Sequence, residues 1–188
     1  NMAQMNISMP NTVEIDGKLI LTFLAKQSLE HIDLMCSQSI DGGLTWSEPI
    51  FISKNDGYNI ITNGTLRYID KVLYLPVAHV HGNIINNYKH QNIYYFKSSD
   101  FGNNWSKSNL IANLTIPLME PNVTKLGNGD LLLNIRTKEG TIYFSRKLKD
   151  KANWLIYNSL IPSSESPQNI YKLDDSNDLI MVWNRENK

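Results

Sequence analysis

Apolar positions along the chain fall in short runs broken by turn residues, not at helical spacing. Residues 10–15 meet a turn at Asp16-Gly17, 18–25 return, and 32–38 with 49–52 complete a first unit. The same order recurs at 65–69, a turn at Asp70-Lys71, then 72–80 and 92–97. It recurs again at 122–126, 131–135 and 141–146, with Gly127-Asn128-Gly129-Asp130 as the turn. A fourth unit runs from 167–173 through a turn at 174–177 to 178–183. Asn-Gly between apolar runs is a hairpin signal, and runs of this length bounded by turn residues read as strands. No stretch sustains a 3.6-residue period, so helix is expected to be nearly absent.

A repeat organises these runs. Ser39-Ile40-Asp41-Gly42-Gly43-Leu44-Thr45-Trp46 has the form S-x-D-x-G-x-x-W, and Ser98-Ser99-Asp100-Phe101-Gly102-Asn103-Asn104-Trp105 repeats it. A degenerate third copy ends at Trp154, with Lys147 and Lys149 in place of the Ser and Asp. The motif is turn chemistry: Asp bonds backbone amides two residues on, Gly supplies a positive φ, and Trp caps the hairpin against its neighbour. Asp41 and Asp100 are therefore read as structural. Short strands in a fixed repeat imply an all-β fold, a β-propeller of four-stranded antiparallel blades. The blades span about 6–53, 57–112, 118–160 and 165–188 of one partial domain, 1–188. About three and a half blades do not close a ring, and unclosed edges would favour self-association.

Composition narrows the partners. The 188 residues are 41% hydrophobic and 19% charged, with zero formal net charge. Such a balance gives no electrostatic case for nucleic acid. The longest apolar stretches, 18–25 and 72–80, are far short of a membrane span. The single cysteine, Cys36, sits in a strand pattern and reads as a buried, inert thiol. No basic segment followed by an apolar one opens the chain, so no signal peptide is visible. Asn-x-Ser/Thr triplets at Asn6, Asn63, Asn104, Asn113 and Asn122 read as chance matches in an Asn-rich chain. His79-Val80-His81 places two imidazoles on one strand face, but no third ligand converges on them in sequence. Neither a metal nor a cofactor is expected.

The candidate chemistry lies on the third hairpin. Folding about Asn128 puts Glu120 and Arg136 eight residues out on either side, opposite one another. Taken alone they are a surface ion pair, worth about 0–1 kcal/mol. Aligning the blade entries by their turns changes that, because Met9, Asn63 and Glu120 fall in one column and only the third is a carboxylate. A packing requirement would repeat; this residue does not. Asn63 and His79 lie near strand ends on the same face, and Arg185, after Asn184, occupies a position analogous to Arg136. All three are candidate ligand contacts on that face.

The paired S-x-D-x-G-x-x-W motifs, with Glu120-Pro121, Gly129-Asp130-Leu131-Leu132 and Arg136, resemble the sialidase (neuraminidase) superfamily with its Asp-box (BNR) repeats. The resemblance runs from about Met9 to Asn184. It implies a six-bladed propeller with a carbohydrate site on one face, where an arginine triad clamps the sialate carboxylate. It further implies a Tyr nucleophile paired with a Glu, and an Asp acid/base. Glu120 matches the family glutamate and Arg136 one triad arginine. Ser8-Met9-Pro10 stands where the family carries Arg-x-Pro, and Thr65 stands where an Arg is frequent, with Arg67 two positions on. The nucleophilic Tyr and the last arginine fall beyond Lys188, and no Asp matches the acid/base. The implied activity is glycoside hydrolysis at terminal sialic acid or a related acidic sugar, the alternative a non-catalytic propeller that binds glycans or proteins.

Overall fold

A computed structural model describes residues 6–88, 90–173 and 176–185. The first sheet unit holds β1 (Asn6–Ile15), β2 (Lys18–Lys26), β3 (Ile32–Ser39) and β4 (Ile50–Ser53). The second holds β5 (Tyr58–Ile60), β6 (Arg67–Ile69), β7 (Val72–Val80), one helical turn α1 (Ile84–Asn87), β8 (Asn92–Ser98), β9 (Ser106–Lys107) and β10 (Ala112–Asn113). The third holds β11 (Leu118–Lys125), β12 (Leu131–Thr137), β13 (Thr141–Lys147) and β14 (Trp154–Pro162). A pair, β15 (Asn169–Lys172) and β16 (Leu179–Val182), begins the fourth. Within each unit the strands run up and down as antiparallel neighbours, and one parallel bridge, Ile32 to Tyr58, joins the first two units.

The turns explain the registers. Asp16-Gly17 and Asp70-Lys71 have positive φ at both positions, so each closes a two-residue hairpin whose twist matches the strands. At the third hairpin Gly129 takes φ 90°, and its amide donates to the Leu126 carbonyl at 2.9 Å. Residues 174 and 175 of the expected fourth turn lie outside the described residues.

The expected strands are present, and several are longer than their apolar runs. The first and third begin upstream of a proline because each bulges there. Pro10 and Pro121 sit in the bulges, where a missing amide breaks no ladder. One helical turn at Ile84 is the only helix among the described residues, in line with the expected near-absence of helix; Asn83 Oδ1 caps it by accepting the Ile85 amide at 2.9 Å.

Both full repeats close alike. Ser39 and Ser98 donate to Asp41 and Asp100 at 2.7 Å, and these carboxylates accept the Thr45 and Asn104 amides at 2.9 Å. The carboxylate thus reaches four residues on, not two, because the loop between is one turn wide. Trp46 and Trp105 donate their indole N–H to the Gly43 and Gly102 carbonyls. Gly102 packs so closely on the first unit that an added Cβ would lie 3.1 Å from Cys36 Sγ. Burial pushes that thiol up to about 12, consistent with an inert core residue.

Apolar cores lie between neighbouring units. Ile20, Leu34 and Cys36 of the first meet Leu73, Leu75 and Phe96 of the second. Ala78 and Ile93 of the second meet Val123, Leu133 and Ile135 of the third. A buried polar belt crosses the innermost strands. Asn11 Oδ1 accepts the Thr65 amide at 2.8 Å, and Thr65 Oγ1 donates to the Pro121 carbonyl at 2.7 Å. Asn122 Nδ2 donates to the Gly64 carbonyl at 2.9 Å and to Asn169 Oδ1 at 2.6 Å. Amide side chains can satisfy both the donors and the acceptors that the converging strands leave open.

Candidate active site

The belt fixes which positions are equivalent. Two residues before Asn11, Thr65 and Asn122 stand Met9, Asn63 and Glu120. Met9 and Glu120 both adopt left-handed backbone, φ 52° and 47°, immediately before proline. That conformation costs an ordinary L residue about 1–2 kcal/mol. In the second unit the bulge is wider and Gly64, φ 72°, takes the left-handed position.

The bulge alters the expected register. Asn122 pairs with Asn134, but Met119 rather than Glu120 pairs with Arg136. Glu120 is the extra residue, turned out of the ladder, and the contact survives through side-chain reach. Arg136 Nη1 donates to Glu120 Oε2 at 2.8 Å, and Nη2 donates to the Glu165 carbonyl at 2.7 Å. The two side chains are only 12% and 18% exposed. A charge-assisted pair so shielded is stronger than the surface pair of the hairpin alone.

Glu120 lines a cavity of about 370 Å³ that reaches back to the first unit. Met9, Leu24, Lys26, Tyr58 and Tyr88 face it as well. Lys26 Nζ lies 5.8 Å above the Tyr58 ring, and Tyr88 donates its hydroxyl to Met119 Sδ at 3.0 Å. Arg136 stands behind Glu120 rather than among the lining residues. It is placed to hold the carboxylate's direction and charge.

The other sequence candidates lie apart from this cavity. Asn63 is exposed, and its carbonyl accepts from Asn169 Nδ2. Arg185 is exposed. Since Asn169 pairs with Val182 as Asn122 pairs with Asn134, the residue equivalent to Arg136 is Asn184, one position earlier than expected. His79 is 1% exposed and contacts the Asp56 carbonyl through Nε2. Burial, and then Lys107, lower its pKa to about 4, so the imidazole is neutral. Contrary to the expectation that no third ligand converges on the histidines, Asp56 does so.

Lys26, Tyr58 and Tyr88 went unnoticed in the sequence. Tyr58 lies on a three-residue strand and Tyr88 ends a single helical turn, neither of which leaves a periodic signal. Asp130, within the Gly-Asp-Leu-Leu stretch, is structural. Its carboxylate accepts the Lys149 amide at 2.9 Å and Arg146 Nη2 at 2.6 Å, taking the amide that the repeat serine accepts in the first two copies.

No family model and no curated protein sequence matches the chain. Solved structures do. A protein of unknown function from Dyadobacter fermentans superposes over 94% of the chain with a TM-score of 0.76 at 14% identity. The alpha-L-arabinofuranosidase Arb93A of Fusarium graminearum covers 94% at 0.71 and 17% identity. A Hadza microbial sialidase covers 89% at 0.69 and 16% identity. The chain shares its all-β fold with propeller glycosidases. It spans about half the length of the first of these, 56%, the same share of the arabinofuranosidase and 37% of the sialidase. The likeness concerns the path of the backbone, and the residues at the cavity are this chain's own.

Proposed function

We propose that the chain is part of a six-bladed, sialidase-like propeller that hydrolyses terminal sialic acid or a related acidic sugar. The observation that carries this reading is Glu120: a carboxylate on a strained bulge, held by Arg136, facing a cavity of sugar-ring size. Two phenols face the same cavity, and a carboxylate beside a phenol can take its proton and raise its nucleophilicity. Lys26 supplies a cation for an acidic substituent. In this reading Glu120 assists the nucleophile, and Arg136 positions it from behind the cavity wall. Asn63, His79 and Arg185 are at most peripheral sugar contacts.

One feature favours a second reading, a propeller that binds glycans without cleaving them. Among the described lining residues Glu120 is the one carboxylate, whereas glycoside hydrolysis ordinarily uses two acidic groups. Assaying the natural polypeptide on a fluorogenic α-sialoside and an α-L-arabinofuranoside, beside Glu120→Gln, separates the readings. The hydrolase predicts sialoside turnover that falls by about 100-fold or more in the variant, with the thermal midpoint little changed. Turnover of the arabinofuranoside alone would sink the acidic-sugar assignment. Glycan binding without turnover would establish the second reading.

A further inference from the structure

We propose that Asp56, His79 and His81 form a transition-metal site of the Zn²⁺ type, with three protein ligands and a fourth position open to water. This site is separate from the Glu120 cavity and does not rest on the glycosidase reading.

Topology assembles it. His79 and His81 share one face at the end of β7, and β5 runs antiparallel beside them with Asn59 opposite His79 and Tyr58 opposite Val80. Continuing that register carries Asp56 past the strand end, next to His81. One nitrogen of each imidazole and a carboxylate oxygen of Asp56 then lie within 4.8 Å of one another. The rings meet edge to face with centroids 4.5 Å apart. Tetrahedral zinc holds such ligands at about 2.0–2.2 Å, so closure asks for small side-chain shifts.

A second observation points to a ligand. His79 Nδ1 is buried and has no hydrogen-bond partner, while Nε2 contacts the Asp56 carbonyl. A metal-binding histidine ordinarily donates its other ring N–H to a carbonyl or carboxylate, which fixes the tautomer and frees the opposite lone pair. That arrangement is present here without a use inside the fold. His81 is exposed, which opens the cluster to solvent.

Lys107 is the competing cation. Its Nζ lies 2.7 Å from Asp56 Oδ2 and 4.4 Å from the centre of the Tyr94 ring. Both partners of this pair are part-exposed, so it is weak, and among the described residues Oδ1 of Asp56 has no partner. A metal on Oδ1 would sit near the ammonium and be weakened by it.

The test is a titration of the natural polypeptide with Zn²⁺ against a chromogenic chelator, with Co²⁺ absorption to report geometry. The site predicts one equivalent of metal and a tetrahedral Co²⁺ spectrum. His81→Ala and Asp56→Asn, both at solvent-reachable positions, should weaken binding by about tenfold or more. Lys107→Met should tighten it, and replacing His90, an exposed histidine outside the cluster, by alanine (His90→Ala) should leave it unchanged. Absence of stoichiometric binding by the parent, undiminished binding by His81→Ala, or weaker binding by Lys107→Met would each overturn the proposal.

Discussion

The first and third hairpins are built alike and charged differently. Each bulges at a left-handed residue followed by proline and then a belt asparagine: Met9-Pro10-Asn11 in one, Glu120-Pro121-Asn122 in the other. The register equates Leu24, opposite Ser8, with Arg136, opposite Met119. Strain before proline therefore belongs to the scaffold, since the first unit bears it with a methionine. The carboxylate and guanidinium are additions to that scaffold. A shared backbone with a single charged copy separates what folds the unit from what the unit presents.

The largest effect tests the shared part. Asn122 is fully buried and serves three partners across units, Gly64, Asn169 and Arg67, whereas Asn11 serves one. Removing one side of a buried hydrogen bond costs about 1–3 kcal/mol for each group stranded. Asn122→Ala should therefore lose about 2–4 kcal/mol of unfolding free energy in urea, and Asn11→Ala about 1–3. Equal losses would mean that the belt carries no more at the third unit than at the first.

The next effect tests the addition. Arg136→Leu alone leaves the Glu120 carboxylate shielded and unpaired and should destabilise by about 1–3 kcal/mol, below the range for fully buried charges. Glu120→Met combined with Arg136→Leu recreates the first hairpin. The double variant should return to within about 1 kcal/mol of the parent, because a buried ion pair exchanged for apolar residues is often neutral. A double variant as unstable as the sum of the singles would show that the pair is part of the scaffold.

Much of this was legible in the sequence for a local reason. Strand alternation, Asp-Gly and Asn-Gly turns and the repeated Asp motif are all set by neighbours within a few residues, so the units emerge from pattern alone. The meeting of Glu120 with Arg136 also followed, from the symmetry of one hairpin. The bulge did not, because a one-residue slip leaves no compositional mark beyond Pro121. Asp56 stayed invisible beside the histidines for a related reason. The register of β5 on β7 differs by three residues from that of β6, and the jump at Thr62-Asn63-Gly64 brings Asp56 into range. The cavity joins residues from three units, and no local rule ties Lys26 or Tyr88 to Glu120.

The smallest effect lies at the far end of the same two units. In the first, hydrogen bonds from the Thr45 hydroxyl and amide and from Ser39 lower the Asp41 carboxyl from 3.8 to about 2. In the third, where the repeat lacks its aspartate, Asp130 is lowered mainly by the Lys149 amide and then by Arg146 and Asn128. A carboxyl whose folded pKa lies below its unfolded value contributes stability above the unfolded pKa. That contribution disappears as pH falls through the folded one. Both residues should therefore steepen the loss of stability below about pH 3.8. Asp41→Asn should flatten the urea midpoint between there and about pH 2, and Asp130→Asn should flatten it below the same upper limit. The midpoint for Asp130→Asn should also become less sensitive to salt, because that substitution removes an ion pair with Arg146 and Asp41→Asn removes none. Equal salt responses would mean that Asp130 acts through its contact with the Lys149 amide alone.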